Sequence, residues 1–128
     1  MKTVRETIPQ LHYLAHKKVR KLWIENKKWK KHRSIHLETV EISPEVCCFE
    51  WEGEQAFKVG DELNFRFDLR EHFLNKTAAI VTVDKSKLLD EGYEHKTWHL
   101  YCARFDDELD EEVFKEMVGP RRQCKSRF

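Results

Sequence analysis

The chain has 128 residues, 40% hydrophobic and 37% charged, with eight Phe, four Trp and three Tyr. That length suits one domain of about 100–200 residues, and the aromatic content excludes a wholly disordered chain, because disordered segments lack the apolar groups to form a core. The net charge of +1 hides three unequal parts: residues 1–36 carry +9, residues 37–116 carry −12 and residues 117–128 carry +4. Basic ends of this kind can balance the field of the acidic body, bind phosphate or nucleic acid, or form a polybasic arm.

In chain order, residues 1–18 read as a basic N-terminal extension or short helix, residues 19–118 as the domain and residues 119–128 as a basic tail. Leu11, Leu14, Ala15, Val19, Leu22 and Trp23 have helical spacing, but residues 19–25 also alternate as a strand. The reading adopted is a short helix over about 9–16, a strand, and a polar hairpin connection over 26–34. Residues 35–42 and 46–51 form two strands broken by Ser43-Pro44-Glu45, since proline removes a ladder donor and restricts its predecessor. Val59-Gly60-Asp61 is a turn, with Gly60 able to take positive φ. It leads into residues 62–69, where Leu63, Phe65, Phe67 and Leu69 alternate with Asn64, Arg66 and Asp68.

Residues 77–83 form a strand with apolar groups on both faces, Ala79, Val81 and Val83 on one and Ala78 and Ile80 on the other. Residues 95–105 set Trp98, Leu100 and Cys102 against His99, Tyr101, Ala103 and Phe105. The pattern then changes to a helix, with Leu109, Val113, Phe114, Met117 and Val118 as its apolar stripe, Asp106 or Asp107 as its cap and Gly119-Pro120 as its stop. The core is expected to join Leu63, Phe65, Phe67 and Leu69 to Val81, Val83 and one face of the last strand. Short spacings without helical crossovers predict a mainly β fold, an antiparallel sheet closed into a small barrel.

Cys47, Cys48, Cys102 and Cys124 are not spaced as a disulfide or zinc framework, and neighbouring Cys47 and Cys48 point to opposite faces of their strand. Without an apolar leader after Met1, or a run of about 18–20 apolar residues, the expectation is a soluble cytoplasmic protein with reduced thiols and no membrane span. Ser43 lacks a nucleophile-turn motif. The pairs His12/His16 and His95/His99 have ligand spacing without a nearby third ligand. No metal, cofactor or catalytic residue is expected.

With these strands and the helix placed, the chain resembles a PilZ domain, the small six-stranded antiparallel β-barrel that in bacteria typically senses cyclic di-GMP. Glu41-Ile42-Ser43-Pro44-Glu45-Val46 stands at the junction of that family's Asp/Asn-x-Ser-x-x-Gly motif; Cys47-Cys48-Phe49-Glu50, the segment from Phe57 to Leu63, and Tyr101-Cys102-Ala103-Arg104-Phe105 match later strands and turns. The resemblance covers about residues 19–118. It implies that a cyclic di-GMP site, if present, uses Lys17, Arg20, Lys21, Glu41 and Ser43, with residues 17–21 lying near the 41–46 junction. The motif is degraded. Glu41 replaces Asp or Asn, Val46 replaces a glycine, and the Arg-x-x-x-Arg clamp has only Lys17, Lys18, Arg20 and Lys21 nearby, where lysines lack the bidentate fork of arginine.

The strongest local functional signal is the basic run Lys27, Lys28, Trp29, Lys30, Lys31 and Arg33. It suits an acidic protein partner, a phosphate backbone with a stacked base, or an anionic surface. The expected function is that of a non-catalytic bacterial regulatory or adaptor protein that binds another protein, without tight cyclic di-GMP binding. A cyclic di-GMP receptor and a small nucleic-acid-binding protein are the alternatives.

Overall fold

The computed structural model describes residues 11–15, 18–26, 33–35, 37–53, 55–85 and 98–118, without the side chains of Glu38 and Lys85. In chain order these residues form β1 (His12–Tyr13), β2 (Lys21–Glu25), β3 (Arg33–Ser34), a 3-10 turn (Leu37–Thr39), β4 (Glu41–Ile42), β5 (Val46–Glu52), β6 (Glu62–Asp68), β7 (Phe73–Lys85), β8 (Trp98–Phe105) and α1 (Glu111–Val118). The strands make an eight-stranded sheet in the order β1-β4-β5-β8-β7-β6-β2-β3, and every pairing is antiparallel. The fold is mainly β with one C-terminal helix, as expected, but the six-strand count is corrected to eight. Among the described residues the ladder ends at β1 and β3 with no pairing between them, so barrel closure is not part of the described fold.

Two short strands, β1 and β3, account for the difference in count. In place of the helix over 9–16, the described residues there contain β1, paired to β4 through His12↔Ile42 and Tyr13↔Glu41. Leu14 joins the main core while Leu11 joins a separate cluster; this is the parity of a strand, since a helix would set residues three apart on one face. Residues 35–42 are also not one strand. Val40 donates its N–H to the Leu37 carbonyl at 3.1 Å, and only Glu41–Ile42 stay in the sheet. The second added strand, β3, falls inside the expected connection over 26–34 and pairs with β2 through Trp23↔Ser34 and Ile24↔Arg33, which corrects that expectation at these two residues.

Leu63, Phe65, Phe67 and Leu69 are buried on one face of β6 and its exit while Arg66 is exposed. They meet Phe49 at the centre of the core, 5.7 Å from Phe65 and 5.5 Å from Tyr101 between ring centroids. Side chains of β2 and β4, separated by four strands in the sheet order, share this cluster, so the sheet curls around a single core. On β7 the inward residues are Ala78, Ile80 and then Val83. Val81 packs into the other cluster, which corrects its expected place beside Val83. The cause is a register shift between Ile80 and Thr82: one extra residue resets the strand's parity.

Gly60 has φ 97° and donates its N–H to the Ile80 carbonyl at 2.8 Å, closing the turn before β6. α1 is capped by Asp110, not by Asp106 or Asp107. Its Oδ1 accepts from the Glu112 N–H at 3.1 Å and its carbonyl from the Phe114 N–H at 2.8 Å. Phe114, Met117 and Val118 then reach the core, and the Met117 carbonyl, left over in the last turn, accepts from the Ala15 N–H at 2.8 Å.

Candidate interaction surface

The junction matched to the PilZ motif is a turn closed on itself. Ser43 donates its N–H to the Val46 carbonyl at 2.9 Å, and its Oγ accepts from the N–H groups of Glu45 and Val46, both at 3.2 Å. The Pro44 and Glu45 carbonyls accept from Leu109 at 2.8 Å and Phe105 at 2.9 Å. Val46 and Glu41 are fully buried and Ser43 is 7% exposed. Glu41 lies in a cross-strand row with Tyr13, Cys48, Cys102 and Thr82. Glu41, Cys48 and Cys102 in that row are buried, while Tyr13 at its end is 40% exposed. The chain spends the serine's hydrogen bonds on its own turn.

Of the remaining residues of that candidate site, Lys17 lies outside the described residues. Arg20 and Lys21 are exposed at the start of β2; the Arg20 N–H donates to the Asp68 carbonyl at 2.9 Å, and Lys21 pairs with Asp68. Four strands separate β2 from β4 in the sheet order. Of the basic run, Lys27, Lys28, Trp29, Lys30 and Lys31 lie outside the described residues, and Arg33 is exposed in β3. Arg33 also lines an open pocket of about 240 Å3 with Trp51, Trp98, Glu50 and Glu52.

Sequence reasoning missed the outer face of β2, β6 and β7. Period-two alternation points Lys21, Trp23, Arg66 and Phe73 away from the core, and the pairings Trp23↔Arg66 and Asp68↔Phe73 bring them together. The Arg66 guanidinium carbon is 4.2 Å from the Phe73 ring centroid and 6.0 Å from that of Trp23, and Lys21 Nζ is 5.9 Å from Trp23. The two rings are 6.1 Å apart, and Phe73 keeps 49% of its surface exposed. A cation over an aromatic ring is attracted to it, and here that places the Arg66 guanidinium beside the half-exposed Phe73 ring. Such a face suits a carboxylate or phosphate flanked by an apolar group. The signal available in the sequence was the polar face of the β6 alternation; the pairing of β2 with β6 was not.

The turn joining β6 to β7 lies at one end of this face. Arg70 has φ 73°, the Glu71 N–H bonds to the Leu69 carbonyl at 2.9 Å, and Asp68 Oδ1 accepts from the Arg70 N–H at 2.9 Å. A two-residue hydrogen bond around a positive φ is the uncommon form of γ-turn.

Among the described residues no group of three or more His, Cys, Asp and Glu is placed to hold a metal ion. His12 packs edge-on to Phe114 at 5.6 Å. His99 Nδ1 lies 2.9 Å from the Gly53 carbonyl, which can only accept, so that nitrogen carries the proton. Burial pushes the Tyr101 hydroxyl above its ordinary pKa, an effect the N–H groups of Ala56 and Phe57 partly offset. Burial pushes the Cys47 thiol up as well. The expectation of reduced thiols is corrected at two positions: a disulfide joins Cys48 to Cys102, and among the described residues Cys47 is free and buried. Cys124 lies outside them. No helix among the described residues is long and apolar enough to cross a membrane.

These features define a small antiparallel β domain with a C-terminal helix and an exposed cationic, aromatic sheet face. No family model matches the chain, and no curated protein matches it in sequence. In structure it is similar to the Bacillus subtilis inhibitor of motility (MotI/DgrA), with a TM-score of 0.51 at 9% identity, over 84% of this chain and 46% of that one. The chain therefore spans less than half the length of that protein, and the likeness is one of fold.

Proposed function

We propose that the chain is a non-catalytic, cytoplasmic bacterial regulatory or adaptor module of divergent PilZ type, which works by binding another protein and does not bind cyclic di-GMP tightly. The observation that carries this reading is the self-closed turn from Ser43 to Val46, whose hydroxyl and N–H groups are engaged internally while Val46 and Glu41 are buried. A dinucleotide would have to displace these bonds and bury its phosphates without paired arginines. The fold likeness to a protein named as an inhibitor of motility supports a regulatory role. The proposed partner is an acidic protein segment received by Lys21, Arg66 and Phe73; the basic run that ends in Arg33 is proposed from its charge alone as a separate contact.

Calorimetric titration with cyclic di-GMP in near-physiological salt tests the first half, and no saturable heat at low-micromolar concentration is expected. A stoichiometric complex lost in Arg20→Ala would replace the adaptor reading with a receptor one. The second half is tested with an Asp- and Glu-rich peptide containing one aromatic residue, compared with a mixed-sequence oligonucleotide. Peptide binding weakened by Arg66→Glu is the expected result, whereas oligonucleotide binding that falls steeply with salt, without peptide binding, would favour the nucleic-acid alternative.

A further inference from the structure

Cys48 and Cys102 stand in register on β5 and β8, 54 residues apart in sequence, with Cα atoms 4.1 Å apart. So short a separation belongs to the non-hydrogen-bonded kind of antiparallel pair, in which opposed side chains are closest. The β5–β8 ladder continues on both sides, from Val46↔Arg104 to Glu52↔Trp98. The strand register thus places the two cysteines directly opposite one another, so the bond joins residues already paired in the sheet.

Access is limited by packing rather than by distance. Both cysteines are fully buried in a small cluster with Leu11, Val46 and Val81, apart from the main core. Leu11 directly precedes β1, a two-residue strand at the end of the sheet held by two register pairs to β4. Short edge segments open at lower free energy than central strands.

We propose that Cys48 and Cys102 form a reversible thiol–disulfide site for low-molecular-weight thiols and disulfides of the glutathione kind, reached when β1 and Leu11 lift from the sheet. In reduction, the thiolate of one small thiol attacks a sulfur of the pair, forming a mixed disulfide and releasing the other cysteine as a thiolate that takes a proton. A second small thiol attacks the mixed disulfide and frees the first cysteine. Two electrons and two protons pass to the protein, and the two small thiols leave as one small disulfide. Oxidation is the reverse. Cys47 cannot take part without turning its strand over, because it faces the main core on the opposite side of β5.

The test equilibrates the full chain in glutathione mixtures from fully oxidised to fully reduced, quenches with acid, labels under denaturing conditions with a maleimide and locates the labels by mass. Labels on Cys48 and Cys102 should appear together on reduction and disappear together on reoxidation. Full labelling of both in the oxidised buffer, or a bond that persists in the reduced one, would overturn the assignment. For the route, Leu11→Ala should speed reduction of the folded protein about tenfold or more. The rate should also stay flat in low urea, as local opening requires. An unchanged rate in Leu11→Ala, or a rate that rises with urea in parallel with global unfolding, would rule out the β1 route.

Discussion

β6 and β5 lie in the same sheet and obey opposite rules. On β6 every second side chain is dry, with Leu63, Phe65 and Phe67 buried and Arg66 in solvent; on β5 the five residues from Val46 to Glu50 are all buried. β6 pairs with β2 and β7, and its second face carries the cationic aromatic surface. β5 pairs with β4 and β8, and its second face holds Glu41, Cys48 and Cys102 in one cross-strand row. The face turned away from the main core is thus open where β2, β6 and β7 meet and covered around Cys48 and Cys102. The difference shows why an alternating strand exposes its chemistry and a doubly covered strand conceals it.

The comparison is broken most directly by truncating inward residues on both strands. Phe65→Ala and Phe49→Ala should each cost about 3–5 kcal/mol in urea unfolding, whereas Arg66→Ala should cost less than about 1 kcal/mol. A larger loss from Arg66 than from Phe65 would mean that the β6 faces are reversed. Asp110→Ala, which removes the cap that orients α1 toward the core, should cost about 1 kcal/mol. Arg70→Gly should stabilise by roughly 0.5–1 kcal/mol, because φ 73° costs an L residue more than it costs glycine. Loss of stability in that variant would show that the Arg70 side chain contributes more than its backbone costs.

The main core also makes a pH prediction. Burial holds Cys47 and Tyr101 protonated in the folded chain above their ordinary values of 9.0 and 10.0. Above pH 9 the unfolded chain gives up these protons first, so ν for the unfolded state falls below that of the native state and stability declines as pH rises. The contribution is fully present below pH 9 and is lost toward strongly alkaline pH. Tyr101→Phe should flatten the decline above pH 10; the same slope in wild type and variant would assign it to other groups.

Much of this was legible from local pattern. Strict period two in residues 62–69 located β6 and its buried face, the stripe from Leu109 to Val118 located α1, and Gly60 marked a turn that does take positive φ. The Ser43-Pro44-Glu45 break was visible too, because proline chemistry acts within two or three residues. The candidate site was less legible: the departures at Glu41 and Val46 could be read from the chain, but not that both positions would be buried and the Ser43 hydroxyl engaged.

The sequence by itself determined the longer strands, the helix, the turns and the charge asymmetry, since each depends on residues a few positions apart. Tertiary structure decided the rest. β1 and β4 are two residues each and exist through pairing with one another and with β5; the shift after Ile80 moves Val81 out of the main core; and Trp23, Arg66 and Phe73 meet across three strands. Cys48 and Cys102 are joined over a 54-residue separation. A side chain's face follows from its neighbours along the strand, but its partner follows from which strand lies beside it, and that is settled when the whole sheet closes over its core.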